Sequence, residues 1–384
     1  MSELESLEKK LDDKEAGRRT EAVLEIRKMI SKGSLVLESR PGQFNLHAHS
    51  FFSYNGEGFS PSHLVWMTKK MGLDMIGLVD FDILDGVDEL FEAAKNLGVA
   101  VIAGMETRAF VPEFATREIN SPGEPGISYH MGSGFISSKL NDPSWKDFFI
   151  SMRENPQRRN RDLVSKVNAF LDPVKLDYDQ DILPLTPKGV ATERHICQAY
   201  EEKSRKQFPK ESDLVAFWSK ALGAPESEMA KTAASPAKLQ ALIRSKTMKK
   251  GGVGYQQPDD KTFPRMDEVN RFILAQGAIP MMTWLDGTSA GESAAVELMD
   301  VEMKCGAAAL NIIPDRNWNI ANPEEKKKKA MKLEEIVRLA DERGLPIQIG
   351  TEMNAPGLKR VDDFSAPELK PYIPSFMHGA RILY

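Results

Sequence analysis

Only two cysteines occur in the 384 residues, Cys197 and Cys305, and they lie far apart. That excludes a CxxC zinc site and makes a disulfide framework improbable, so a reducing, cytoplasmic setting is expected. No apolar run approaches the length needed to span a bilayer. The first residues are charged from Glu3 onward and lack the apolar core of a secretory leader. No membrane partner is expected. The net charge of −5 is small for this length, and without a basic face no nucleic-acid partner is expected. The one Lys-rich run, Lys326 to Lys329, has acids on both sides and reads as a solvated helix face. What remains is the composition of a soluble globular protein, long enough for one large domain or two ordinary ones.

The first 40 residues form a charged, helical segment. Leu4, Leu7 and Leu11, then Val23, Ile26 and Ile30, recur at spacings of three and four. This predicts one or two amphipathic helices. Their apolar stripe serves packing on one reading and a homo-oligomer contact on the other. From residue 41 onward, short apolar runs end in polar residues: Phe44–Ser50, Met75–Asp82, Val99–Arg108, Ile127–Phe135, Ala278–Asp286, Ala307–Asp315 and Leu345–Asn354. Helical patterns separate several of them, at Pro61–Met71, Leu84–Leu97, Asp267–Gln276, Ser293–Lys304 and Glu324–Arg343. Such alternation predicts an α/β fold with a parallel sheet, and seven units predict closure into a TIM-like barrel.

The rhythm breaks between about residues 140 and 255. That stretch reads as a helical insertion between the fourth and fifth strands, with helices near Trp145–Met152, Arg161–Phe170, Thr192–Lys203, Asp213–Leu222 and Pro236–Ser245. Gly251–Gly254 reads as a hinge or loop at its exit.

Functional groups of a parallel barrel gather at the C-terminal strand ends. The first strand ends in His47-Ala48-His49, and residues two apart on a strand point to one side, so both imidazoles can reach one ion. The second ends with Asp80, Phe81 and Asp82, and the third with Glu106 and Arg108 on a shared face. The fourth carries His130, the fifth Asp286, the sixth Asp315 and Arg316, and the seventh Glu352 and Asn354. Three histidines and two glutamates at strand ends point to a metal site, with His47, His49, Glu106, His130 and Glu352 as candidate ligands. Mixed imidazole and carboxylate ligands suit zinc, manganese or iron.

This order of motifs resembles the PHP (polymerase and histidinol phosphatase) superfamily. Leu46–Gly86, LHAHSFFSYNGEGFSPSHLVWMTKKMGLDMIGLVDFDILDG, is similar to the family's opening metal motif, helix and second motif. GMETR resembles the third motif and SYHMG the histidine that follows it. QGAIPMMTWLDG and GLPIQIGTEMN fall where the family has its His-Pro and Gly-Ser-Asp-x-His motifs. The resemblance implies a distorted seven-stranded β/α barrel, bound metal and phosphoester hydrolysis. It also implies departures. Phe81 and Trp284 stand where the family places ligating histidines, Glu352 and Asn354 replace its last Asp and His, and Asn55 stands at a further ligand position. One ion, or two, is therefore expected rather than three, with Phe81 and Trp284 walling the pocket.

On this reading Glu352 is a ligand or a general base, with Asp80 and Asp82 as further catalytic carboxylates. The substrate is a small, polar, anionic molecule. Arg108, Arg194, His195, Asp286, Arg316 and Asn354 are candidates to bind it, since arginine offers a planar fork to carboxylate or phosphate. Arg194 and His195 resemble the family's Arg-Pro-His-Ile-Ala segment, which places them on a lid over the barrel mouth. The leading function is a metal-dependent hydrolase. A lyase or isomerase acting on a sugar or sugar acid, and a non-catalytic metal-binding barrel, are the alternatives. His63 and His378 read as structural.

Overall fold

The computed structural model describes residues 2–257 and 262–384. Two helices, α1 (Glu3–Lys10) and α2 (Ala16–Ser31), lead into β1 (Phe44–Ala48), α3 (Pro61–Met71), β2 (Met75–Phe81), α4 (Val87–Leu97), β3 (Ala100–Phe110) and β4 (Ile127–Ser133). The long α5 (Lys146–Phe170), α6 (Glu193–Gln207), α7 (Glu211–Leu222), α8 (Glu226–Ala233) and α9 (Pro236–Thr247) follow. The chain then resumes with α10 (Met266–Ala275), β5 (Ile279–Trp284), α11 (Ala295–Lys304), β6 (Ala309–Ile312), the single turn α12 (Asp315–Trp318), α13 (Pro323–Glu342), β7 (Ile347–Ile349) and α14 (Ile373–Leu383).

The seven strands form one sheet in sequence order. It nearly closes, through a bridge between Ala48 and Glu352. His49 N–H donates to Glu352 O and Glu352 N–H to His47 O, each at 2.8 Å. A side chain at Gly350 would meet His47 N at 2.3 Å and Asn45 Oδ1 at 2.4 Å, so only glycine permits this approach. All five residues of β1 are buried, as expected for a strand with side chains in the barrel on one face and helices on the other.

The sheet is mixed rather than parallel. β4 runs antiparallel to both β3 and β5. The cause lies in residues 111–126, where Pro112, Pro122, Gly123, Pro125 and Gly126 leave no helix long enough to return the chain. Without such a crossover a neighbouring strand comes back antiparallel. The reversal also moves the point at which the insertion leaves the barrel. The insertion leaves from the end of β4 beside the start of β3, not from the metal face. The helix α5 then carries it back, its 25 residues reaching roughly 37 Å at 1.5 Å per residue. It passes unbroken through Pro156, joining what the sequence pattern divides into two helices. The exit at Gly251–Gly254 is a loop of turns, in which Gly252 N–H donates to Lys249 O and Gly254 N–H to Thr247 O, each at 2.7 Å.

Two large apolar cores and a small one, of Phe52, Ile83 and Val190, result among the described residues. One large core joins the sheet, its flanking helices and the N-terminal helices. The other lies within the insertion, around Val167, Ile196, Tyr200, Trp218, Leu239 and Ile243. Leu7, Leu11, Val23 and Ile26 are buried, and α2 packs on α3 and α4, so these four positions serve packing. Arg19 reinforces the seam, its guanidinium paired with Glu89 and stacked 5.1 Å from the centre of Phe51.

Barrel and insertion are pinned together by Glu124, in the β3–β4 connection. It accepts from Arg108 at 3.0 Å and from Arg159 of α5 at 2.5 Å. Burial opposes its charge, but the two guanidinium groups hold its pKa down at about 2. Its contribution is therefore complete above the ordinary carboxylate range near 4.5 and is lost as pH falls toward 2. Glu124→Gln is expected to lower stability by about 3 kcal/mol at pH 7. Urea unfolding should show that deficit shrinking as pH falls from 5 toward 2.

Candidate metal centre

His47 and His49 point into the barrel from β1, and Glu106 does so from β3. Their ligand atoms all lie within 4.8 Å of one another. His49 Nε2 is 3.2 Å from Glu106 Oε2, His47 Nε2 is 3.7 Å from it, and the two Nε2 atoms are 3.3 Å apart. The other imidazole nitrogens are spoken for. His47 Nδ1 donates to Asn311 Oδ1 at 3.2 Å. The Ser53 hydroxyl donates to Asp80 Oδ1 at 2.6 Å, which leaves its lone pairs to accept from His49 Nδ1 at 3.1 Å. Both rings are thereby set with Nε2 lone pairs facing one carboxylate oxygen. Glu106 Oε2 is buried without a hydrogen-bond partner.

Three electron-pair donors forced together in a dry pocket repel one another unless a cation joins them. The pKa directions say the same. Burial opposes a charged His47, but Glu106 prevails and raises it. Burial opposes a charged Glu106, but the two imidazoles bring it down to about 2. A divalent ion fits this donor set, two imidazoles and a carboxylate. Zinc, manganese and iron all suit it.

Two predicted ligands do not join. His130 pairs across the sheet with Thr107, one residue out of step with Glu106. Its ring therefore leaves the barrel on the outer face, with Nε2 at 2.5 Å from Asn270 Oδ1 and Nδ1 at 3.2 Å from Glu302 Oε2. The reversed β4 and its register cause this. Glu352 lies beside β1, but its carboxylate accepts from Arg316 at 2.7 Å instead of closing on the three donors. It adopts φ 61°, followed by Met353 at 52°, a left-handed pair costing roughly 1–2 kcal/mol per residue.

The remaining candidates divide. Asp80 is buried and accepts from Ser50 N–H, Ser50 Oγ and Ser53 Oγ. Burial raises its pKa, and its place behind Ser53 makes it a support for His49 rather than a group facing substrate. Asp82, at φ 59°, faces a cavity of about 300 Å³ over the metal centre. Burial pushes it up to about 6, against the Thr107 hydroxyl and Arg108. Arg108, Arg194, Arg316, Glu352 and Asn354 line the same cavity. Asp286 does not: it turns to Lys329, 3.2 Å away, and caps Thr288. His195 does not either. Its Nδ1 accepts the Thr192 N–H at the start of α6, its ring packs edge-on to Tyr54, and burial lowers its pKa to about 3.

Phe81 lines the cavity and stacks on His49, centres 4.5 Å apart. Trp284 does not. Thr283 pairs with Asn311, which points inward to His47, so Trp284 points outward. Asn55 shapes the loop, donating to His49 O at 2.7 Å. Sequence reasoning missed Arg244 and Lys249 from the insertion, both paired with Glu193 on the cavity wall. It also missed Ser53 and Asn311. Asn311 carried a signal, a lone amide inside the apolar strand Ala-Leu-Asn-Ile.

The arrangement is a nearly closed β/α barrel with a two-histidine, one-glutamate metal centre under a cavity capped by a helical insertion. The PHP domain model matches residues 45–269, more than half of the chain, and the protein belongs to the PHP domain family. Curated relatives align only locally. An error-prone DNA polymerase of Cutibacterium acnes is 38% identical over 68 residues, 18% of this chain and 6% of the polymerase. A 5'-3' exoribonuclease of Haemophilus influenzae is 37% identical over 65 residues, 17% of this chain and 23% of the enzyme. The matched part thus spans under a quarter of either relative. Two solved structures share the fold. An amidohydrolase from Chromobacterium violaceum with bound sulfate and no metal superposes with TM-score 0.57 at 15% identity, covering 88% of this chain and 96% of that one. A candidate metal-dependent phosphoesterase from Bifidobacterium adolescentis gives 0.51 at 18%, covering 88% and 98%. Among the described residues no helix is long and apolar enough to cross a membrane.

Proposed function

We propose that this protein is a metal-dependent hydrolase of a small anionic metabolite, with a phosphoester as the first substrate class to test. The observation that carries the reading is the charge of the cavity above the His47–His49–Glu106 centre. Arg108, Arg194, Arg244, Lys249 and Arg316 face it, against Asp82, Glu193 and Glu352. An ion bound below would add positive charge, so an anion is the complementary ligand. Membership in the PHP family and the hydrolase class of the two structural relatives support the hydrolytic reading.

His47, His49 and Glu106 would hold the ion, which supplies Lewis-acid polarisation and a water of lowered pKa. Glu352, facing the cavity beside the two histidines, is placed to take a proton at its carboxylate. Arg194 binds the anionic group. Asp82, with its pKa near 6, can return a proton to a leaving group near neutral pH. Phe81 and Tyr54 keep water from that side.

A second reading, a barrel that holds metal without catalysis, is favoured by one observation. His47, His49 and Glu106 are buried, and none of them lines the cavity. Purified protein loaded with manganese or zinc should hydrolyse at least one member of a panel of phosphomonoesters, phosphodiesters and sugar-acid esters. No turnover by any metal form, with the ion inert to exchange, would establish the non-catalytic reading. Conversion of a sugar or sugar acid without hydrolysis would establish the lyase or isomerase reading.

A further inference from the structure

We propose that the guanidinium of Arg316 is a built-in second cation of this site, and that the protein therefore holds one divalent ion and no second. The inference rests on the metal reading above and deepens it. The carboxylates nearest the three donors are already engaged. Asp80 accepts three hydrogen bonds from Ser50 and Ser53. Asp82 accepts from the Thr107 hydroxyl at 2.6 Å. Glu352, the carboxylate best placed to help hold a second ion, accepts from Arg316 at 2.7 Å.

The Arg316–Glu352 contact is built rather than incidental. Glu352 is fixed by two backbone hydrogen bonds to β1 in a left-handed conformation. Arg316 projects from the single helical turn directly after β6, the strand whose Asn311 orients His47. Glu352 is thus anchored to the strand that carries both histidines, and Arg316 to the strand that orients one of them. The Phe81 ring stacks on His49, centres 4.5 Å apart and planes 25° from parallel, and offers only carbon beside it. A second ion would need roughly three donors, and the described residues leave too few.

The chemical consequence is specific. Arginine is charged at every working pH and is not removed by chelators. The cavity thus keeps the Arg316 guanidinium, paired with Glu352, among its cationic groups even when the metal is stripped. That guanidinium is a planar fork suited to phosphate or carboxylate. An arginine does the electrostatic work of an ion without polarising water, so one ion must serve alone for that.

The test is the metal count of the full chain, by elemental analysis and by electron paramagnetic resonance during Mn²⁺ titration. Wild type should saturate at one ion per chain with an uncoupled six-line spectrum. Arg316→Met keeps the aliphatic bulk and frees Glu352, and should take a second ion and show exchange-coupled manganese. Arg316→Met combined with Glu352→Gln should return to one, and Glu352→Gln alone should keep one. Two ions in wild type, or one in folded Arg316→Met, would overturn the inference while leaving the metal reading intact. Loss of the ion in Glu352→Gln would overturn it too, by making Glu352 a ligand, and that variant decides the matter should Arg316→Met not fold. No ion in wild type would end the metal reading and this inference with it.

Discussion

Glu106→Gln protein is expected to bind a divalent ion at least about 100-fold more weakly than wild type, a loss at the top of the range found even for groups that only support ligands. The substitution preserves shape and removes the sole anionic donor of the three that meet. Two neutral imidazoles and an amide oxygen would then face a dication in a dry pocket, and a buried charge without compensation is strongly disfavoured. The metal-free fold should lose some stability at neutral pH, because the two imidazoles outweigh desolvation and hold the Glu106 pKa down at about 2. Metal binding is therefore compared on protein shown by circular dichroism to be folded. A second readout follows from His47, whose pKa is raised by Glu106 against the effect of burial. Without the carboxylate, burial prevails and the imidazole should titrate lower, visible by NMR of metal-free protein. A Glu106→Gln variant that retains a stoichiometric ion through gel filtration would show that the centre lies elsewhere.

The residues legible in the sequence were those whose side is fixed by local alternation. His47 and His49 are two apart, and so are Glu106 and Arg108, which sets each pair on one face whatever the neighbours do. His130 and Trp284 were assigned by order along the chain. Order does not determine which face meets the barrel interior, because the register between strands does. A shift of one residue moves a side chain to the opposite face. The reversal of β4 was foreshadowed by residues 111–126, where prolines and glycines deny a crossover helix. The cationic wall was not legible. Arg244 and Lys249 lie at the end of α9 and just beyond it, and no periodicity tells which face of an inserted helix will meet a distant barrel. Arg316 was seen as an anion clamp, but its partner Glu352 comes from another strand, so the pairing existed only in three dimensions.

Arg194→Ala is expected to raise KM by roughly ten- to a hundredfold, with kcat within a few-fold of wild type and metal content unchanged. The range corresponds to losing one or two hydrogen bonds to a charged group, about 1.5–3 kcal/mol. Arg194 differs from the other cationic groups on the cavity wall. Arg108 pairs with Glu124, Arg244 and Lys249 with Glu193, and Arg316 with Glu352. Among the described residues the Arg194 side chain has no ion pair and no hydrogen bond. Burial, reinforced by nearby Arg244, pushes its pKa down. A half-buried guanidinium without a counter-charge costs stability, and a fold tolerates such a cost where a ligand repays it. The contrary view, that Arg194 merely supports the start of α6, predicts a different result. A supporting residue would lose stability on truncation, whereas an uncompensated cation facing an empty cavity would not. Arg194→Met should therefore melt at or above the wild-type Tm without substrate and lose the stabilisation that added substrate gives to wild type. His195→Ala supplies the contrast. It removes the Thr192 cap and the Tyr54 contact and should lower Tm while leaving KM nearly unchanged. Equal KM in Arg194→Ala and wild type, with a lowered Tm, would return Arg194 to a structural role and leave the substrate's charge to be met by other groups.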